Sequence, residues 1–289
     1  MPLKSVLPAA RFDTIMNSIM QSQRKELLRT AIKAARTAGE IILDNLNRIS
    51  KDDIRIKQAS DFVTRVDKES ELAIIRTVRE HFPHHCFLAE ESLKDAETDE
   101  YRWIIDPLDG TTNYIHGYPV FSVSIALEWK KEIIMGVIFD PLRDELFTAE
   151  RGAGASLNGH AIYVSSVSDL KDCLITTGFP FRRKELIEPY LKLFKNIFHK
   201  VSDLRRAGSA ALDLAHLACG RCDGFFEIGL SPWDVAGGSL IVQEAGGVVT
   251  DFGGGPYYLS TGNIVAGNPD THDELLKEVK MAFKGLIDR

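Results

Sequence analysis

The 289-residue chain has no run of apolar residues approaching the ~18 needed to cross a bilayer, and no signal-peptide pattern at its start. It has no excess of basic charge. With 35 Lys and Arg against 41 Asp and Glu, the net charge is -6, which argues against a dedicated nucleic-acid surface. Cysteine is scarce. Of Cys86, Cys173, Cys219 and Cys222 only the last pair is close, and neither a second pair nor neighbouring histidines complete a zinc site. All four are read as ordinary buried thiols. No segment rich in Pro or Ser divides the chain. A cytoplasmic protein is the expectation, with no membrane attachment and no direct nucleic-acid contact. An acidic protein that handles anions needs local relief from its own charge, and metal ions are the usual means.

What is present is the balance of a folded protein, 44% hydrophobic and 26% charged residues. Residues 25–47 carry apolar side chains at helical spacing (Leu28, Ile32, Ala35, Ile42, Leu46). Residues 61–67 read as a loop ending in a helix cap at Asp67, and a second helix follows with Leu72, Ile75, Val78 and Phe82 on one face. Short strands are predicted over 86–89, 103–106, 121–129, 133–139 and 145–149. The second half mixes strands (174–177, 224–227, 248–251, 264–266) with helices (186–198, 209–218, 233–245, 271–283). Helices and strands alternate without a barrel or repeat period, so sheets layered between helices are expected. The reading gives residues 1–23 as a loosely attached extension, then one domain of two packed halves, about 24–160 and 161–289.

The richest stretch is Trp103-Ile104-Ile105-Asp106-Pro107-Leu108-Asp109-Gly110-Thr111-Thr112-Asn113. An apolar strand delivers Asp106 to its carboxyl end, Pro107 removes a backbone donor and bends the chain, and Asp109 returns within reach of the same point. Two carboxylates that close repel each other unless a cation lies between them, and hard oxygen ligands select Mg²⁺, Mn²⁺ or Ca²⁺ over zinc. Gly110-Thr111 adds backbone N–H groups suited to phosphate oxygens. Acidic residues recur at Glu90-Glu91, which ends another strand, and at Asp234, which opens a helix. Taken singly, Asp67 is a cap candidate, Asp234 a helix N-terminal charge, and Arg182-Arg183-Lys184 a solvated basic loop. Other phosphate chemistries fail on spacing. There is no Gly-x-x-x-x-Gly-Lys loop, no Asp-x-Asp pair at this motif, and no Cys followed by five residues and then an Arg.

Together these motifs resemble the inositol monophosphatases within the wider lithium-sensitive sugar phosphatases. The likeness runs through Glu90-Glu91-Ser92, the 106–113 stretch, Trp233-Asp234 and Glu244-Ala245-Gly246-Gly247, from about Glu26 to the C-terminus. It is nearest to the bacterial inositol-1-monophosphatase branch, through residues 61–67, 178–181 and 205–213. The resemblance implies an α/β (αβαβα) layered sandwich, a homodimer and two or three Mg²⁺ ions. It implies Glu90, Asp106, the Leu108 carbonyl, Asp109 and Asp234 as metal ligands, and Asp109, Gly110 and Thr111 as phosphate holders. Ala210, Glu227 and Arg205 are expected at the substrate, with Asp234. Glu90 and the Thr111–Asp67 pair would activate water for direct attack on phosphorus. Two departures from the pattern, Ala89 and Gly237-Gly238, are expected to loosen the backbone near the site.

The expected activity is therefore Mg²⁺-dependent hydrolysis of inositol-1-phosphate, or a similar polyol or sugar monophosphate, by metal-activated water. Histidinol phosphate, a nucleotide and fructose bisphosphate are alternative substrates. A different role is also implied, because members of the bacterial branch are linked to ribosomal RNA transcription complexes through protein contacts.

Overall fold

The computed structural model describes residues 9–58, 61–95 and 100–287. Chain order builds it in two halves. The first begins with α1 (Ala9–Asn45), a hairpin of β1 (Ile54–Gln58) and β2 (Asp61–Thr64), and α2 (Arg65–His81). It continues with β3 (Cys86–Ala89), β4 (Arg102–Asp109), α3 (Thr111–Ile115), β5 (Ser122–Trp129), β6 (Glu132–Asp140), β7 (Glu145–Glu150), β8 (Gly154–Leu157) and β9 (His160–Ala161). The second half runs β10 (Leu174–Thr177), α4 (Ile187–Phe198), β11 (Asp203–Arg205), α5 (Ala210–Ala218), β12 (Gly224–Glu227) and α6 (Pro232–Glu244). It closes with β13 (Val248–Thr250), α7 (Tyr258–Thr261), β14 (Ile264–Gly267) and α8 (Pro269–Phe283).

Strands β3 to β9 form one sheet in sequence order, and the second sheet has the order β11-β10-β12-β14-β13. Helices α1 and α2 cover the outer face of the larger sheet, α5 and α6 lie between the sheets, and α4 and α8 cover the smaller one. The result is the αβαβα sandwich. Alternation along the strands sorts the core. In β5, Val123, Ile125 and Leu127 pack toward α1 and α2, while Ala126 packs toward α5 and α6. In β12, Phe225 faces the central helices and Phe226 the outer pair.

The expected elements recur with informative differences. Helix α1 starts at Ala9, so it enters the segment read as an extension, of which residues 1–8 lie outside the described residues. Residues 61–64 form β2 and pair with β1 rather than making a loop. Asp67 is not the cap of α2. Thr64 caps it, and Asp67 sits three residues on and closes a capping box. None of the described helices is long and apolar enough to cross a membrane. Cys219 and Cys222 are free thiols, half-buried and buried respectively.

Gly237-Gly238, expected to loosen the backbone, instead makes the closest contacts of α6. A Cβ on Gly238 would lie 2.6 Å from the Leu214 Cβ of α5, and one on Gly136 of β6 would lie 2.5 Å from the Gly237 carbonyl oxygen. The Gly136 contact is with backbone and cannot yield without moving α6 off the sheet. Gly136→Ala is therefore expected to cost about 3 kcal/mol, at the upper end of overpacking losses, in denaturant unfolding. A loss under ~0.5 kcal/mol would mean that the sheet and helix separate more easily than this contact implies.

Candidate active site

The site begins with an irregularity in β4. Asp106 pairs with Ser124 and Asp109 with Ser122, so two residues of β4, Pro107 and Leu108, oppose the single Val123 of β5. On a regular strand a spacing of three would send the two carboxylates to opposite faces. The extra residue is a β-bulge, placed where proline has no N–H to give the ladder, and it turns both toward the central helices. Leu108 N–H donates to Asp106 Oδ1 at 2.9 Å and locks the bulge. The strand thus runs to Asp109 instead of ending at Asp106. Gly110 then holds φ at +96°, and a Cβ there would meet the Val120 carbonyl at 2.8 Å, so glycine is required where the strand passes into α3.

Asp234 arrives from the other half of the chain, in the first turn of α6, where it accepts from Ser231 N–H at 2.7 Å. Carboxylate oxygens of Asp106, Asp109 and Asp234 all lie within 4.8 Å of one another. Glu90 follows β3, with its backbone N–H on the Ile105 carbonyl at 3.1 Å. It lines the same cavity but stands outside this three-carboxylate cluster.

Burial and mutual repulsion dominate the electrostatics. Burial, then the charges of Glu90, Asp109 and Asp234, holds the Asp106 carboxyl well above the usual carboxylate range. Asp109 is pushed up to about 7 by burial and by Asp234, although Ser209 Oγ (2.5 Å) and Ala211 N–H (2.8 Å) both donate to its Oδ2. Three buried acids met by one guanidinium, Arg182 on Asp234, fit a divalent cation, and the all-oxygen donors suit Mg²⁺ or a similar hard ion.

Asp67 lies behind α3. Its Oδ2 accepts from Thr64 N–H at 2.8 Å and from Thr64 Oγ1 at 2.5 Å, and its Oδ1 is 2.8 Å from Thr111 Oγ1. Burial raises it to about 6 against these bonds. Thr111 Oγ1 is also 3.0 Å from the Leu108 carbonyl. A hydroxyl has one proton, so the state of Asp67 decides its direction. Ionised Asp67 accepts a hydrogen bond from the Thr111 hydroxyl, whereas protonated Asp67 donates and turns Thr111 toward Leu108.

The cavity holding these groups has a volume of about 480 Å³. Ala210 and Glu227 both line it, with Leu108, Gly110 and Thr111. Burial raises Glu227 to about 8, with the Arg206 charge opposing. Gly178 makes room for it, since a Cβ there would fall 1.9 Å from Glu227 Oε1. Arg205 does not line this cavity. It pairs with Asp203 at 2.5 Å and borders a smaller cavity of about 180 Å³. Its neighbour Arg206 borders both cavities, with its guanidinium over the Phe179 and Phe181 rings.

Arg182 corrects the reading of a solvated basic loop. Its Nη1 donates to Asp234 Oδ2 at 2.9 Å from within the cavity wall, while Arg183 pairs with Glu185 on the surface. Sequence reasoning also missed Asn113, whose Nδ2 donates to the Val120 and Ala207 carbonyls (2.8 and 3.0 Å) and pins the 207–208 turn to α3. Ser209 was legible only as the start of a helix, and its hydroxyl both caps α5 and donates to Asp109.

A sandwich of this layering, with acids from both halves meeting beside the Gly110-Thr111 turn, has the architecture of a phosphatase. The chain belongs to the inositol monophosphatase family, whose model matches residues 23–282. It is 48% identical over 264 residues to the Nus factor SuhB of Escherichia coli K12, covering 91% of this chain and 99% of that protein. Among solved structures it is similar to the extragenic suppressor protein suhB of Bartonella henselae, with TM-score 0.85 and 42% identity over 90% of this chain and 100% of that one. The inositol monophosphatase of Anabaena (Nostoc) sp. PCC 7120 aligns with TM-score 0.80 and 43% identity, covering 90% of this chain and 97% of that one.

Proposed function

We propose that the protein is a Mg²⁺-dependent phosphomonoesterase acting on inositol-1-phosphate or a similar small polyol monophosphate. The observation that carries this reading is the convergence of Asp106, Asp109 and Asp234 beside the Gly110-Thr111 turn. Glu90, Asp106, the Leu108 carbonyl, Asp109 and Asp234 would hold the ions. Bound there, Mg²⁺ neutralises phosphate charge and makes water a better nucleophile at neutral pH.

The chain's own groups supply the rest. Backbone N–H groups at the start of α3 receive the phosphate, and the side chains around them fix its orientation. Glu90 orients the attacking water from the wall of the cavity. Thr111 is ready to accept a proton as ionised Asp67 takes its own, so the proton comes to rest at Asp67 Oδ1. Glu227, raised to about 8, carries a proton at neutral pH and can both donate to and accept from a substrate hydroxyl. Ala210 leaves space beside it for the ring.

The test is phosphate release from inositol-1-phosphate against histidinol phosphate, a nucleotide and fructose bisphosphate, each with Mg²⁺ and with chelator. The polyol phosphate is expected to give the highest kcat/KM, and only with Mg²⁺. Equal turnover in chelator would refute the metal chemistry, while preference for another monophosphate would reassign the substrate.

A second reading rests on the E. coli relative being named a Nus factor. On that reading the chain also binds transcription-complex proteins as a homodimer. Capture of RNA polymerase and its elongation factors by wild type and by Asp106→Asn alike would support a role separate from hydrolysis.

A further inference from the structure

Helix α2 carries a second buried carboxylate that the chemistry above does not use. Glu71 is 1% exposed and lies one helical turn beyond Asp67. A spacing of four puts both on the same face of the helix. Asp67 reaches Thr111, just past the β4 bulge. Glu71 reaches the other acidic segment: its Oε2 accepts from Glu91 N–H at 2.7 Å, and its Oε1 accepts from the Ser92 hydroxyl. These are the two residues that follow Glu90.

Glu90 is thereby held from two sides. Its own N–H is fastened to the Ile105 carbonyl, one residue before Asp106, and the chain beyond it is fastened to Glu71. Beyond Ala89 the chain makes no further pair with β4 and folds back on β3, with Ala89 N–H on the Leu93 carbonyl at 2.6 Å and a bridge between Leu88 and Lys94. A turn in that position takes its direction from whatever satisfies its next N–H groups. Here the acceptor is a side chain on a 17-residue helix packed against the same sheet. Burial alone gives no reason for a carboxylate here, because an apolar residue of this size would fill the position at less desolvation cost and would need no such bonds.

We infer that Glu71 is a positioning residue for the metal site, and that α2 acts as a rigid ruler setting the Glu90 turn against the Asp106–Thr111 segment. The inference rests on the proposed metal-dependent reading. Its content is geometric: what matters is the pair of hydrogen bonds from Glu71 to Glu91 N–H and the Ser92 hydroxyl, and its charge is secondary.

Two substitutions separate these roles. Glu71→Met keeps the volume and removes both contacts. Glu71→Gln keeps both, because its amide oxygen accepts from Glu91 N–H while its NH₂ donates to a Ser92 hydroxyl turned the other way. Each variant is measured for Mn²⁺ affinity by calorimetry, for Mg²⁺-dependent phosphate release, and for thermal unfolding in chelator. Glu71→Met is expected to raise the half-saturating Mn²⁺ concentration about 10- to 100-fold, the usual loss when a group supporting a ligand is removed. Glu71→Gln is expected to stay within about threefold of wild type, and Ser92→Ala, which removes one contact from the other side, to fall between them. A purely structural role would lower the unfolding temperature and leave the Mn²⁺ affinity of the folded protein unchanged, and that result overturns the inference. If Glu71→Met does not fold, Ser92→Ala decides, and unchanged Mn²⁺ affinity in it overturns the inference too. Wild type that binds no Mn²⁺ and releases no phosphate would defeat the parent reading of the site instead.

Discussion

Asp106→Asn is expected to lose metal-dependent phosphate release by at least about 10³-fold while the protein becomes more stable without metal. Both halves of that result follow from the same carboxylate. Asp106 is buried and takes repulsion from Glu90, Asp109 and Asp234 at once. The amide retains the oxygen that accepts from Leu108 N–H, so the bulge has no reason to open. It removes one negative charge from a crowded pocket, which relieves the metal-free fold and would deprive a cation of a ligand. Most point substitutions destabilise, so a gain in metal-free stability beside the loss of activity separates relief of repulsion from simple damage to the fold. The measurements are kcat/KM across a Mg²⁺ titration and unfolding temperature in chelator. Full activity with an unchanged Mg²⁺ response would end the assignment of this cluster as the reaction centre.

How far the sequence could carry this site depended on the kind of interaction. The β4 motif was legible because an apolar strand, a proline and two acids lie within a few residues, and local order already implies a meeting point. Even so, the bulge that turns Asp106 and Asp109 to one face was not, since a bulge is a property of two strands and β5 lies a turn away. Asp67 and Glu71 show the same limit. Their spacing on α2 is visible, but the partners, Thr111 and the Glu91-Ser92 turn, come from other segments. For the arginines, composition misled. Arg182, Arg183, Arg205 and Arg206 are alike in sequence, and only packing distinguishes the two that face the cavity from the two paired on the surface. The layered fold was easier to read, because apolar periodicity reports burial face by face; short strands such as β8, β9 and β11 escaped it for want of length.

The pH dependence of the metal-free protein offers a test that needs no substrate. Asp109 is raised to about 7, Glu227 to about 8, and Asp106 and Asp213 well above their ordinary value, in each case chiefly by burial. For an acid whose folded pKa exceeds its unfolded one, the folded state binds the extra proton, so its stabilising contribution is complete at low pH and is lost as pH rises through the folded pKa. His85 and His216 run the other way. Burial lowers both to about 4, so they add stability as pH rises toward their unfolded value near 6.5. The two sets oppose each other below pH 6.5, and above it the acids act alone. In chelator, the unfolding temperature is therefore expected to fall by on the order of 5–10 °C between pH 6.5 and 8. Mg²⁺ should recover part of that loss, because a cation favours the ionised forms of Asp106 and Asp109 but leaves Asp213 uncompensated. Glu227→Gln should shrink the fall and leave the recovery. A metal-free protein whose stability rises steadily from pH 6.5 to 8 would mean that these acids are already ionised and satisfied, and that the pocket has no electrostatic need of a cation.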